Sequence, residues 1–194
     1  MEATAYSHLV DGLELPVPLA GHPALELCNT RAGWGEAAPK EYLASYAHLV
    51  ALAREVGLVS PEDAAALDAP SPAALRRALA LREALYQVVS DPRPGDAWSV
   101  VADEAARAAA VATLTPEGWR LPVRADLPVL AVARSAAELL TSEHAPVRRC
   151  PGTGCGWLFL DPRGRRRWCT MATCGNRAKV RAHAARARER ARAR

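Results

Sequence analysis

A chain of 194 residues, half of them apolar, can bury the core of one large domain or two small ones. Its longest apolar runs fall well short of a bilayer span, and its first residues carry acids without a basic segment. Neither a transmembrane helix nor a secretory signal is expected, and a cytoplasmic location is expected by default. The net charge of +4 hides a split, with residues 1–145 summing to −8 and residues 146–194 to +12. That asymmetry predicts an acidic globular part joined to a module that meets an anion. Arginine outnumbers lysine 23 to two, as a GC-rich genome would produce, but genome bias does not crowd arginines into the last quarter.

Residues 10–17 read as a short strand with a turn at Asp11-Gly12. Pro23 at a first helical position starts a short helix bearing Leu25, Leu27 and Cys28, and Gly33 and Gly35 mark the loop after it. Pro39 opens a helical run through Leu43, Tyr46, Leu49, Val50 and Ala53, with Gly57 at the position just past its end. Ser60-Pro61-Glu62-Asp63 and Ser71-Pro72 each combine an N-cap with a proline at the first helical position. The second helix turns Leu75, Ala78, Leu79, Leu85 and Val89 to the core, and the segment from Asp91 through Pro92 to Gly95 breaks it. Asp96 caps an Ala-rich helix to about residue 110. Residues 111–123 change period and flank Pro116-Glu117-Gly118, which predicts a β-hairpin. Asp126 then caps a helix with Leu130, Ala133, Ala137 and Leu140 inward, ending near Ser142. Residues 1–143 are expected to be mainly α with a small packed hairpin, and residues 144–194 to form a separate module. The short join at Glu143–Pro146 argues against a freely tumbling tail.

Four of the five cysteines lie in that module. Cys150 and Cys155 are separated by four residues, Cys155 and Cys169 by thirteen, and Cys169 and Cys174 by four. Clustered cysteines in a reducing compartment read as metal ligands rather than disulfides. Zinc favours four thiolates in a tetrahedron, and each close pair can chelate one edge of it. Pro151, Gly152, Gly154 and Gly156 let the first loop fold tightly. Trp157–Leu160 reads as a strand, Asp161-Pro162-Arg163-Gly164 as a turn, and Arg166–Trp168 as the returning strand. Trp157 and Trp168 then face each other as core. A helix follows Cys174, which sits in its first turn, where the helix dipole favours thiolate. Knuckle, β-hairpin and basic helix form a treble-clef-like order. Four sulfurs leave no open position, so one Zn2+ is structural. Cys28 stands alone among apolar residues as a small buried hydrophobe.

From Arg149 to about Arg188 the sequence resembles the CGNR zinc-finger family, whose tetrapeptide is Cys174-Gly175-Asn176-Arg177. Cys155-Gly156-Trp157-Leu158-Phe159-Leu160-Asp161, Arg167-Trp168-Cys169-Thr170-Met171 and Arg177-Ala178-Lys179 match it as well. Upstream, Leu25-Glu26-Leu27-Cys28-Asn29-Thr30 and Gly57-Leu58 resemble the ABATE domain that usually precedes this finger. Glu26, Leu27 and Cys28 replace the family's usual aspartate and aromatic before the Asn-Thr pair. The resemblance implies a bacterial, stress-associated transcription regulator with an N-terminal sensor or dimerisation domain.

In the last helix Val180, Ala184, Ala187 and Ala191 form a narrow apolar stripe. Arg177, Lys179, Arg181, Arg186 and Arg188 surround it. Small alanines allow close approach to a nucleic-acid groove, where arginine contacts phosphate and pairs bidentately with guanine. Arg163, Arg165, Arg166 and Arg167 in the turn can grip phosphates alongside. Against this, Arg177 can brace the zinc loops, and the helix end can be a solvated tail. Asn29, Thr30, Arg31 and Trp34 are either a hydrogen-bonded helix terminus or the lining of a small-molecule effector pocket. His8, His22, His48 and His144 have no metal spacing, and no catalytic constellation is visible, so no enzyme is expected. The expected partner is DNA, on the nucleoid, with a homodimer and an effector as further candidates and no membrane. RNA binding and a zinc-stabilised protein-interaction module are the competing readings.

Overall fold

The computed structural model describes residues 6–34, 36–91, 93–141, 143 and 146–192. Gly35, Pro92, Ser142, His144 and Ala145, which the sequence reading used as loop, breaker, helix end and join, lie outside them. The elements run β1 (Ser7–Val10), β2 (Leu13–Pro16), α1 (Pro23–Cys28), β3 (Arg31–Ala32), β4 (Lys40–Glu41), α2 (Tyr46–Glu55), α3 (Pro61–Ala65), α4 (Pro72–Ser90), α5 (Ala97–Val111), β5 (Thr113–Thr115), β6 (Gly118–Arg120), α6 (Leu127–Thr141), β7 (Val147–Arg149), β8 (Leu158–Leu160) and α7 (Asn176–Arg192). Among the described residues the strands pair as antiparallel hairpins, β1-β2, β3-β4, β5-β6 and β7-β8. The fold is mainly α with small hairpins, ending in a helix-bearing zinc-finger module. No helix among the described residues is long and apolar enough to cross a membrane.

Local chemistry sets most helix starts. Ser60 and Ser71 cap α3 and α4 through their hydroxyls, each with proline at the first turn. His22 does the same for α1, its Nδ1 accepting from the Ala24 N–H. Asp96 and Asp126 stand at the expected starts but do not act as the sequence suggests. Asp96 makes no side-chain cap, and the Asp126 carboxylate is taken by Arg77 and Arg124.

The helix expected from Pro39 begins only at Tyr46. Lys40 and Glu41 instead pair with Arg31 and Ala32. The reason is tertiary. Arg82, 3 % exposed in the middle of α4, takes Glu41 bidentately at 2.6 and 2.7 Å and also reaches Thr30 and Glu83. A buried guanidinium needs those carboxylates, and Glu41 can reach it only from an extended segment. The inward face of α4 therefore carries Ala74, Ala78, Leu81, Arg82, Leu85 and Tyr86, while Leu75, Leu79 and Val89 lie at its edge.

The core centres on α6, which packs against α1, α2, α4 and α5. The one-sided face expected for it is too narrow. Every residue from Leu127 to Ala133 is buried, as befits a helix with apolar residues all round. Arg77 clamps Glu104 of α5 with two bonds and Asp126 with a third, tying α4, α5 and the start of α6 together.

Two outcomes follow. Arg82→Ala leaves a carboxylate network without its cation and should cost about 3–5 kcal/mol in denaturant unfolding of the zinc-loaded protein. Glu26, buried in α1, accepts from the Ala20 N–H at 2.6 Å, and burial lifts its carboxyl from 4.5 to about 7. The folded state keeps a proton that the unfolded chain has already released. This contribution is complete below pH 4.5 and is lost as pH rises through 7. Glu26→Gln should remove that loss, gaining about 2–3 kcal/mol on the parent between about pH 5 and pH 8 in paired urea titrations.

Candidate metal centre and nucleic-acid face

Four segments deliver the four thiols. Cys150 directly follows β7, its N–H donating to the Trp157 carbonyl at 2.8 Å. Cys155 closes a turn on Gly152 at 3.0 Å. Cys169 lies in the loop after the arginine turn. Cys174 sits in a widened π-helical turn, Met171–Gly175, which runs into α7 and is capped by the Thr170 hydroxyl. All four are buried and their sulfurs lie within 4.8 Å of one another. The Cys155 and Cys169 sulfurs are 3.7 Å apart. A tetrahedron with ~2.3 Å Zn–S bonds has edges of about 3.8 Å, so the donor set fits one zinc ion. Two glycines make the convergence possible. A Cβ on Gly152 would come within 2.6 Å of the Cys174 sulfur, and one on Gly156, at φ +72°, within 2.7 Å of Trp34 Cβ.

Crowding argues for a cation too. Hydrogen bonds from the Cys155 and Cys169 thiols hold Cys150 far below the ordinary thiol range, and that same donation pushes Cys155 and Cys169 up. Thiols alone must share protons in this way, whereas a bound zinc takes all four as thiolates. Such a closed S4 site is structural, without a coordination position for water. The Tyr6 hydroxyl lies 3.1 Å from the Cys174 sulfur, and burial followed by that contact raises the phenol, which keeps its proton for donation. Arg177 covers the Tyr6 ring at 5.1 Å.

The hairpin of this module differs from expectation. Leu158–Leu160 pairs with Val147–Arg149, so the first cysteine knuckle forms the loop of β7-β8. Arg166–Trp168 forms no strand, and Trp157 does not face Trp168 across a sheet. Trp157 is core as expected, 1 % exposed, donating to the Arg31 carbonyl at 3.0 Å and meeting Tyr6 edge-on at 5.3 Å. The turn Asp161–Gly164 is present. Buried Asp161 organises it, accepting from the Arg165 and Arg166 N–H groups at 2.9 and 3.1 Å and from Arg148. These backbone bonds, with Arg148, hold its carboxyl below the usual range.

The basic residues divide by what they touch. Arg166 is a strut: its guanidinium donates to the carbonyls of Leu160, Leu19 and Cys169 and stacks on Phe159 at 4.4 Å. Arg167 lies over Trp168 at 5.1 Å but is exposed. Arg163, Arg165, Lys179, Arg181, Arg186 and Arg188 are exposed, and among the described residues their side chains have no intramolecular partner. No residue of α7 is buried. Val180 of its apolar stripe is 68 % exposed, so the stripe is not docked on the domain.

Asn29, Thr30, Arg31 and Trp34 do come together, in a packed seam. Asn29, without solvent exposure, donates to the Leu158 carbonyl at 2.9 Å and accepts its N–H at 2.8 Å, acting as an extra strand partner for β8. Thr30 bonds Leu27 and Arg82. Arg31 pairs with Glu83 and covers Trp34, which stacks on Tyr86 at 3.6 Å. The Tyr86 hydroxyl donates to Gly156 at 2.7 Å, and Gly33 and Trp34 donate to Cys155. Sequence reasoning missed Tyr6, Tyr42, Arg82 and Tyr86, because none stands in a motif and each acts across more than 40 residues. Cys28 is fully buried and burial pushes its thiol up, in keeping with a packing role.

Asn29→Ala strands a buried donor and acceptor on β8. It should cost about 2–4 kcal/mol and speed zinc transfer to a coloured chelator. Unchanged release would separate the seam from the metal centre.

Two family models match the chain. One is ABATE, described as "putative stress-induced transcription regulator", over residues 21–143. The other is the CGNR zinc finger, over residues 147–187. No curated protein matches the chain. The described S4 cluster is the centre that the finger match requires, and the chain belongs to the ABATE family with a C-terminal CGNR zinc finger.

Proposed function

We propose that the protein is a DNA-binding transcription regulator acting on the bacterial nucleoid in the cytoplasm. The finger presents α7 and the Arg163–Arg167 turn to duplex DNA, and the N-terminal unit senses a small molecule or self-associates. One observation carries this reading. A helix of 17 residues, about 25 Å long, has no buried residue, and its cations beyond Arg177 find no partner among the described residues. Some carboxylates of the N-terminal unit, Glu104 and Glu41 among them, are engaged by Arg77 and Arg82. A surface kept this cationic and this open suits phosphate contact. Alanines between the arginines allow groove approach, and the arginine turn on its Asp161 anchor supplies a second row. Arg166 shapes that row from inside, while Arg163, Arg165 and Arg167 face out. Arg177 both braces Tyr6 and borders the helix face.

Charge reversal at Arg181, Arg186 and Arg188 leaves the fold untouched and should weaken duplex DNA binding at least about a hundredfold. For six to eight neutralised phosphates the parent's log–log salt slope should be about −5 to −7. Unchanged affinity in the variant would defeat the proposal. Stronger binding of structured RNA at equal salt would move the partner to RNA. The helix should also respond to its partner. Arg177–Arg181, Arg186–Arg190 and Arg188–Arg192 place like charges four apart, each costing about 0.2–0.5 kcal/mol, and among the described residues only the Arg177–Tyr6 contact offsets them. Helical ellipticity should rise on adding duplex DNA and fall back as salt releases it.

A further inference from the structure

The N-terminal unit holds a cavity of about 550 Å3, lined by no residue of the finger, between the α2–α3 turn, β6 and α6. That volume falls in the usual range for small-molecule sites, about 300–1,000 Å3. Its walls are chemically divided. Val59, Leu127 and Ala131, all buried, line it together with Leu121. Trp119 lines it from β6 with 55 % of its surface exposed, although an indole is a costly group to leave in water. The strand carrying it is fixed, since Arg134 of α6 donates to the Trp119 carbonyl at 2.8 Å.

Charge narrows the ligand. Arg54, Arg120 and Arg134 line the cavity with Asp63 and Glu138. Arg54 is paired with Asp11, and Arg134 with Glu138. Arg120 is exposed with no partner among the described residues. Asp63 likewise has no ion pair among the described residues, so one free guanidinium and one free carboxylate stand beside the indole and the apolar lining, which suits no more than a single negative head on a flat apolar body. The two carboxylates on the same walls disfavour polyanions such as nucleoside triphosphates.

We infer that this cavity binds a small amphipathic monoanion, a planar apolar body bearing one carboxylate, with Trp119 against the body and Arg120 on the head. The inference rests on the reading of the N-terminal unit as a sensor and gives that reading a site. The position suits the role. Ala131, Arg134, Ser135 and Glu138 of α6 line the cavity, and α6 packs on α1, at whose end Asn29 holds β8 of the finger.

Calorimetric titration of the zinc-loaded full chain without DNA tests it, with indole-3-acetate as probe. Tryptamine carries the same body with a cationic head, and acetate the head without the body. Indole-3-acetate should bind saturably at one site per chain, with tryptamine and acetate at least about tenfold weaker. Trp119→Ala and Arg120→Ala, both at exposed positions, should each weaken it at least about tenfold with melting temperature unchanged. No saturable binding up to about 5 mM, well above useful effector affinities, equal binding of tryptamine, or full affinity in both variants would overturn the inference. DNA affinity is not read, so failure here leaves the DNA proposal standing and failure there leaves this one.

Discussion

Four sulfurs converging on one point govern the last quarter of the chain. The segment after Pro146 has few large apolar groups, and its two core aromatics, Trp157 and Phe159, pack around the cysteines and Tyr42. A metal centre of this kind can supply on the order of 10–16 kcal/mol of folding free energy in small zinc peptides. That free energy offsets both the small core and the repulsion among arginines gathered beside it. The S4 cluster itself carries two net negative charges once zinc is bound. Arg177, with the Tyr6 phenol, sits close to Cys174, so part of the basic character stabilises the centre and the remainder is left for a partner.

The finger is not an appendage. Asn29 pairs with the backbone of β8, Tyr86 holds Gly156, Arg166 reaches back to Leu19, and the Leu160 N–H donates to Ala20. Leu158 belongs to the main core, while its neighbours Trp157 and Phe159 belong to the metal core. A single three-residue strand therefore faces both. Rigid coupling of this kind fixes where α7 points relative to the N-terminal unit. It also gives a change in α1 or α6 a short physical route to the metal module, provided those helices have two arrangements to choose between.

Several features were legible in the sequence because their causes are local. The cysteine spacing, the Ser-Pro helix starts at residues 60 and 71, the hairpin at Pro116–Gly118 and the turn at Asp161–Gly164 all arise from neighbouring residues, and all stand in the structure. What escaped is non-local. Lys40 and Glu41 leave helical periodicity because Arg82, 41 residues from Glu41, needs a carboxylate. Leu158–Leu160 takes its partner from before the knuckle, a choice that turn composition cannot reveal. Asn29 and Thr30 read equally well as a helix end or a pocket until β8 is brought against them. Burial of α6 on all sides was disguised by its alanines, which suit an exposed helix as well as a close-packed one.

The account claims that zinc-held shape, and not charge alone, makes the basic tail a binding surface. Duplex DNA affinity measured by fluorescence anisotropy during stepwise zinc removal and restoration tests that most directly. Affinity should track bound metal at one zinc per chain, vanish with chelation and return with added zinc. A metal-free protein that binds as tightly as the loaded one, at matched salt, would contradict it.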